Sequence, residues 1–556
     1  MVRVNFISEG VIAEVEKGTT ILQAARSAGV LIESPCNSAG ICGKCKVKLN
    51  PGDLQFILNP GKHHLTGKEV SEGYVLACQA EAVGDIEVVS IVKNRNKTLK
   101  ILSDGQSFAI KLNSYIKKYY DGKSATLVMG GGDVLGKESG NTEELNFGVV
   151  VDIGTTTLVS SLVDIASGRE IASVSSLNPQ SLLAQDVLSR IKYASDKQGL
   201  QTMFTDILKE INRMIREISK EAGVNRKNIY EVVFSGNTTM IHLAANVNPY
   251  SLGKYPYTPE LRGGCHKSSA ELGVEIADFG LVYFPPIISS YVGPDITSGV
   301  LASRLHDQKG VTLFVDIGTN GEMVLSSDGL LTATSTAAGP AFEGMNITCG
   351  MRAALGAIEY FEINEDAGIE VRTIGGAKAA GICGSGLLDI VGELVDHGIV
   401  SKNGKFVSPD DNSLPGTLRS RLTKLDGKPA FVVAEGILIT QKDIRQVQLA
   451  KGAVRSGIEF LLTSNGVTAD AVDKVLIAGS FGFHLRAKSL INIGLLLKEF
   501  ESKVEFVGNT SKAGGKAFLL NGLYRLEMQN LVRKIKVIEL SNHIDFDKIF
   551  VASLAF

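Results

Sequence analysis

The pentapeptide Val-Asp-Ile-Gly-Thr occurs twice, at 151–155 and at 315–319. Each copy sits between two apolar runs, FGVVVDIGTTTLVSSLVDI from Phe147 and TLFVDIGTNGEMVLSS from Thr312. Each reads as a strand ending on Asp, a Gly-Thr turn and a returning strand. Such a hairpin suits a phosphate. Gly lets the backbone approach the anion, Thr hydroxyls and N–H groups donate to its oxygens, and the Asp holds Mg²⁺, usually through water. A single copy is also what an ordinary strand turn looks like. Two related copies predict two α/β halves facing each other across a nucleotide cleft. The halves are residues 147–310 and 311–556, and the C-terminal part of the second returns to the first. Asp152 and Asp316 are the candidate catalytic carboxylates. Gly154, Thr155, Thr156, Thr157, Gly318, Thr319 and Asn320 are the candidates for binding the phosphates of ATP.

Four of the seven cysteines, Cys36, Cys42, Cys45 and Cys78, lie near the start with the spacing C-x5-C-x2-C-x32-C. Zinc modules usually present two tight pairs. Three thiolates in one loop and a distant fourth suit a [2Fe–2S] cluster, as in plant-type ferredoxins. The loop is filled by Ser38, Ala39, Gly40 and Gly43, which let N–H groups approach sulfur. VRVNFIS and VIAEVEKG read as a β-hairpin around Glu9-Gly10. TTILQAARSAG reads as a helix, with Thr19 or Thr20 as N-cap and Gly29 at its C-terminal end. The expected architecture of residues 1–92 is a ferredoxin-like β-grasp domain. Cys265, Cys349 and Cys383 are scattered, which argues against a disulfide framework.

At 556 residues, with 44% hydrophobic residues, the chain can build several ordinary cores. A net charge of −2 gives no overall nucleic-acid footprint. The chain lacks an 18-residue apolar run, and MVRVNFISEG does not read as a signal peptide. The expectation is a cytoplasmic protein without nucleic-acid or membrane partners. Residues 93–146 read as a basic linker and a small connecting hairpin with the Gly130-Gly131-Gly132 turn. From Lys93 to Lys123 its cations are Lys93, Arg95, Lys97, Lys100, Lys111, Lys117, Lys118 and Lys123, opposed there by Asp104 and Asp121. It is either a solvated linker or a guide for an acidic redox partner.

Other small-residue junctions have the look of sites. SGNTTM at 235–240, STAAGPAFEG at 335–344 and ICGSGLLDIV at 382–391 each join irregular backbone to a helix or turn. Gly384-Ser385 opens a helix that either serves ATP or makes a tight turn. IAGSFG at 477–482 follows an apolar strand and makes Gly479 and Ser480 candidates for adenosine contact. ITQKDIRQVQLAKGAVRSGIEFLL reads as a long packing helix capped by Thr440.

The paired hairpins and the later glycine motif resemble the actin, sugar-kinase and Hsp70 ATPase superfamily, whose fold is ribonuclease H-like. The whole ordered series is CNSAGICGKC with Cys78, VDIGTTT, NPQ with DVLSRI, SGNTTM, VGPDITSG, VDIGTNGE, STAAGPAFEG, ICGSGLLDIV and IAGSFG. It resembles the reductive activators of corrinoid proteins. The resemblance implies a multidomain α+β and α/β chain in which ATP couples a reduced [2Fe–2S] cluster to a corrinoid in a separate protein, returning Co(II) to Co(I) for methyl transfer. It also implies a homodimer, an upstream low-potential electron donor and a corrinoid protein or corrinoid methyltransferase component as partner. Other readings are an ATP-dependent electron activator of another low-potential enzyme, a small-molecule kinase with a fused redox domain, and a non-hydrolysing scaffold.

Overall fold

The computed structural model describes residues 1–30, 32, 34, 43–61, 65–91, 108–408, 413–479, 485–540 and 543–556. Cys36, Cys42, Ser480 and the basic residues Lys93 to Lys100 lie outside the described residues.

Strands Val2–Phe6 and Val11–Val15 pair as the expected antiparallel hairpin, and Ile86–Ile91 joins Val2–Phe6 in parallel. Lys46–Leu49 and Tyr74–Leu76 extend the sheet to five strands. Val2, Val4 and Phe6 alternate inward, as a half-buried strand requires. Helix Ile21–Ser27 crosses the sheet and starts in a capping box between Thr20 and Gln23. Gly29 follows it at φ +69°, a left-handed value that favours glycine. This is the β-grasp arrangement.

The connecting region differs from a linker with one hairpin. Ile116–Tyr120, Ala125–Gly130 and Asp133–Ser139 form a three-stranded antiparallel sheet packed on the first half. Lys118 is buried there. Its ammonium donates to Glu138 at 2.8 Å and to the Tyr230 hydroxyl at 2.7 Å. A charge counted as solvated by position is thus an internal one, held because a carboxylate and a phenol receive it.

The two halves repeat one topology. In the first, Glu170–Leu177, Thr157–Asp164 and Phe147–Ile153 run antiparallel, followed by parallel Ile229–Gly236 and Leu281–Phe284. In the second, Leu330–Thr336, Gly321–Ser327 and Val311–Ile317 do the same, followed by parallel Lys474–Ala478 and Val504–Gly508. The inner strands are continuous apolar runs because both faces are covered. Each half has its own core. Between the sheets lies a third core containing helices Pro294–Ala302 and Thr510–Leu520. Thr510–Leu520 packs on Phe147–Ile153 of the first half. Gly514 permits the two helices to meet: a Cβ there would lie 2.0 Å from the Ser298 carbonyl oxygen. Among the described residues no helix is long and apolar enough to cross a membrane.

Candidate functional site

The two hairpins put Asp152 and Asp316 at the ends of equivalent strands, but their turns differ by one residue. The first closes with Gly154 N–H donating to Thr157 O at 2.9 Å, the second with Gly318 N–H donating to Asn320 O at 2.9 Å. In the first hairpin Val159 therefore stands opposite Asp152. In the second the shorter turn brings Glu322 opposite Asp316. Like charges directly across a strand pair are destabilising. Glu322 is only 5% exposed, and its Oε1 is buried without a hydrogen-bond partner among the described residues.

Asp295, at the start of helix Pro294–Ala302, faces the same carboxylates. Burial, then Asp316 and Asp152, pushes its pKa up to about 8. Burial and Asp152 raise Asp316 to about 7. Glu322 is held well above the usual carboxylate range by burial, then by Asp295 and Asp316. Burial also raises Asp152, opposed by its hydrogen bonds from Ser511 and Asn509 and by Lys512. Those bonds are 2.7 Å from Ser511 Oγ and 2.8 Å from Asn509 Nδ2. Four carboxylates from both halves thus face one another, Glu322 buried and Asp152, Asp295 and Asp316 partly exposed, and the raised values of Asp295 and Asp316 reach the neutral range. An orphaned carboxylate oxygen in such a group fits a cation. Among the described residues no three His, Cys, Asp or Glu come close enough to bind one metal directly. A cation there would be held through water and phosphate oxygens, as Mg²⁺ commonly is.

The first Gly-Thr turn is braced from below. Asn178 Nδ2 donates to Gly154 O at 2.8 Å, and Asn237 Nδ2 donates to Thr155 Oγ1 at 3.0 Å. Buried Arg190 donates to the carbonyls of Thr155 and Ala184, and burial lowers its pKa to about 9. A Cβ at Gly154 would meet Thr157 O at 2.6 Å, so this glycine is required by the turn itself. Thr156 is braced through its carbonyl, which accepts from Asn178 N–H at 2.9 Å, and Thr157 begins the returning strand. The second turn is braced by Glu343, which accepts from the Thr319 hydroxyl.

Gly479 follows Ala478, the parallel neighbour of Asp316, and has φ +134°, open only to glycine in practice. It stands at the cleft end of the sheet. Gly384 and Ser385 open helix Gly384–Asp396 and are buried. Gly386 packs on the Ile358 carbonyl, where a Cβ would lie 2.1 Å away. Close helix packing thus accounts for the third residue of this glycine motif. Of the four predicted cluster ligands, the described pair is adjacent and buried: Cys78 N–H donates to Cys45 Sγ at 3.5 Å. An N–H aimed at a buried thiolate sulfur fits a cluster pocket. Cys36 and Cys42 lie outside the described residues.

Sequence reasoning flagged Asn237 within the site-like SGNTTM run but did not single out Asp295, Glu322, Arg190, Asn178 or Glu343, which sit inside the motif series in VGPDITSG, VDIGTNGE, DVLSRI, NPQ and STAAGPAFEG. Asn509 and Ser511 gave no signal of their own.

Family profiles match three successive parts of the chain: a 2Fe-2S iron-sulfur cluster binding domain at 5–83, the RACo middle region at 147–308, and the C-terminal domain of RACo, the ASKHA domain, at 310–556. A solved structure named reductive activator for corrinoid, iron-sulfur protein superposes with a TM-score of 0.74 at 31% identity, covering 100% of this chain and 98% of that one. The chain belongs to the RACo family of reductive activators of corrinoid proteins. RACo-family likeness extends to the corrinoid activation enzyme RamQ of Eubacterium limosum, 34% identical over 392 residues, 69% of this chain and 66% of RamQ. It also extends to the [Co(II) methylated amine-specific corrinoid protein] reductase of Methanosarcina barkeri, 24% identical over 419 residues, 70% of this chain and 73% of the reductase. The middle-region profile ends at 308 and the C-terminal profile begins at 310.

Proposed function

We propose that the chain uses ATP to drive one electron from a [2Fe–2S] cluster, held by Cys36, Cys42, Cys45 and Cys78, onto an inactive Co(II) corrinoid in a separate protein, returning it to Co(I). The observation that carries the nucleotide half of this reading is the carboxylate group Asp152, Asp295, Asp316 and Glu322, contributed by both halves and carrying raised pKa values. Such a group needs a cation. The two Gly-Thr turns beside it offer the phosphates that would share it.

Bound MgATP would supply binding and hydrolysis energy. The chain's own residues do the rest. Thr155, Thr156 and Asn320 would donate to phosphate oxygens, and Thr319 would do so through its N–H, since its hydroxyl is given to Glu343. Asp152 and Asp316 would hold the water shell of the cation, and Gly479 and Ser480 are the residues proposed for the adenosine side. A nucleotide that touches both halves favours one relation between them, and can shift an equilibrium only by its difference in affinity for the two states. Co(I) is hard to reach, and each tenfold in a one-electron equilibrium is worth about 59 mV. If the chain binds the Co(II) partner best in one nucleotide state, hydrolysis can offset that uphill step.

The test is a mixture of the protein, reductant, MgATP and a Co(II) corrinoid protein. The Co(II) spectrum should give way to that of Co(I). Cys78→Ala should keep ATP binding and produce no Co(I). Full Co(I) formation by Cys78→Ala would remove the cluster from the reaction.

A further inference from the structure

Among the described residues, the cluster-binding module meets both halves of the rest of the chain. Lys44 lies between Cys42 and Cys45. Its Nζ donates to the carbonyls of Thr348 and Gly350, each at 2.9 Å, on the second half. That receiving segment is itself fixed. Thr348 donates to Asp443 from its N–H at 2.8 Å and from its hydroxyl at 3.0 Å. Asp443 closes the capping box of helix Gln441–Ser464 with Thr440. A few residues before Thr348 stands Glu343, which receives the hydroxyl of Thr319 in the second phosphate turn.

The other contact involves Arg26, at the end of helix Ile21–Ser27. With Leu183, Ala184, Ser189, Lys192 and Tyr193 it lines a cavity of about 520 Å³ against the first half. Its Nε is buried and makes no hydrogen bond among the described residues. Tyr193 ends helix Val187–Tyr193, and the same helix carries Arg190, whose guanidinium holds the Thr155 carbonyl in the first phosphate turn. Each contact of the module is thus one short element away from one phosphate turn.

We propose that Lys44 and Arg26 are positioning residues that hold the cluster-binding module astride the nucleotide cleft, and that nucleotide binding loosens this hold. The inference rests on ATP binding between the halves, as read above. A rigid module attached to both sides of a cleft cannot keep both attachments when the sides shift. Lys44 is the attachment that yields, because its two charge-assisted bonds are half-exposed and water can replace the carbonyls. Arg26, with an unused donor beside a cavity, has room to move without a new buried penalty. Lys44 then leaves the second half, and the module becomes available to a partner. The same positions hold the module docked when the cleft is empty.

The test is hydrogen exchange of the intact, cluster-loaded protein, read at the peptides covering 344–351 and 21–30, with and without AMPPNP and Mg²⁺. Calorimetry on the same sample reports nucleotide binding. In the wild type, nucleotide should speed exchange at 344–351 by about tenfold, about 1.4 kcal/mol, the scale of one lost charge-assisted bond. Lys44→Ala should show that faster exchange without nucleotide, respond no further to AMPPNP, and retain the cluster absorbance. Arg26→Ala should speed exchange at 21–30. Unchanged exchange at 344–351 in Lys44→Ala would overturn the docking. Bound AMPPNP with no change in the wild type would overturn the coupling while leaving the ATP reading intact. Absence of AMPPNP binding by calorimetry would instead overturn the ATP reading, and the coupling with it.

Discussion

At the scale of single residues, the cleft is governed by a missing residue in a turn. The sequence repeat makes Asp152 and Asp316 visible because they are identical in both copies. The one-residue difference in turn length is what puts Glu322 opposite Asp316, and its only trace in the sequence is an acidic residue where the first copy has Leu158. Asp295 was not legible, because proximity through the fold, not spacing, brings it to the others. The raised pKa values have a direct consequence. At pH 7 the empty cleft keeps protons that a cation would expel, so binding of MgATP should release roughly one proton. Calorimetry in buffers of different ionisation heat measures it; no buffer dependence would show that the carboxylates are already charged. Stability follows the same sign. Asp295 has a folded pKa of about 8, above its unfolded value, so the folded state binds the extra proton and loses relative stability as pH rises from about 4 to about 8. Asp295→Asn has no such loss. Without Mg²⁺, it should melt like the wild type near pH 4 and increasingly above it up to pH 8, with a constant gap beyond. Parallel melting curves across that range would contradict the assignment.

At the scale of elements, the sequence disclosed strands and caps well where a local rule acts. The Thr20 and Thr440 caps, the long helix from Gln441 and both phosphate hairpins follow from side-chain chemistry within a few residues. It disclosed the connecting region poorly. Lys118 looks like one more linker cation, and only the distant Glu138 and Tyr230 make it an internal one. The approach of helices Pro294–Ala302 and Thr510–Leu520 was also hidden, since a glycine in a helix has many explanations. That approach aligns Asn509 and Ser511 with Asp152, while Asp295 sits on the partner helix. Gly514→Ala should therefore push the helices apart, destabilise the protein by about 1–3 kcal/mol, and weaken ATP hydrolysis beyond the loss of folded material. Thermal melting and hydrolysis rates per folded molecule check both. Wild-type melting would show that the contact has slack.

At the scale of the whole molecule, a β-grasp module matching the 2Fe-2S cluster-binding family precedes two halves that repeat one topology. The duplication was legible because two strand–turn–strand copies can close one cleft only by facing each other. The docking of the module was not, because Lys44 reads as a loop cation among cysteines. The central claim is that ATP drives the cluster's electron onto the corrinoid. Its most direct measurement is a single-turnover experiment by electron paramagnetic resonance. The intact protein is reduced, freed of reductant and mixed with a Co(II) corrinoid protein, with or without MgATP. With MgATP, the reduced-cluster and Co(II) signals should disappear together, one for one, and without it both should persist. Equal loss of both signals in the absence of ATP, or loss of Co(II) while the cluster signal stays, would contradict the account.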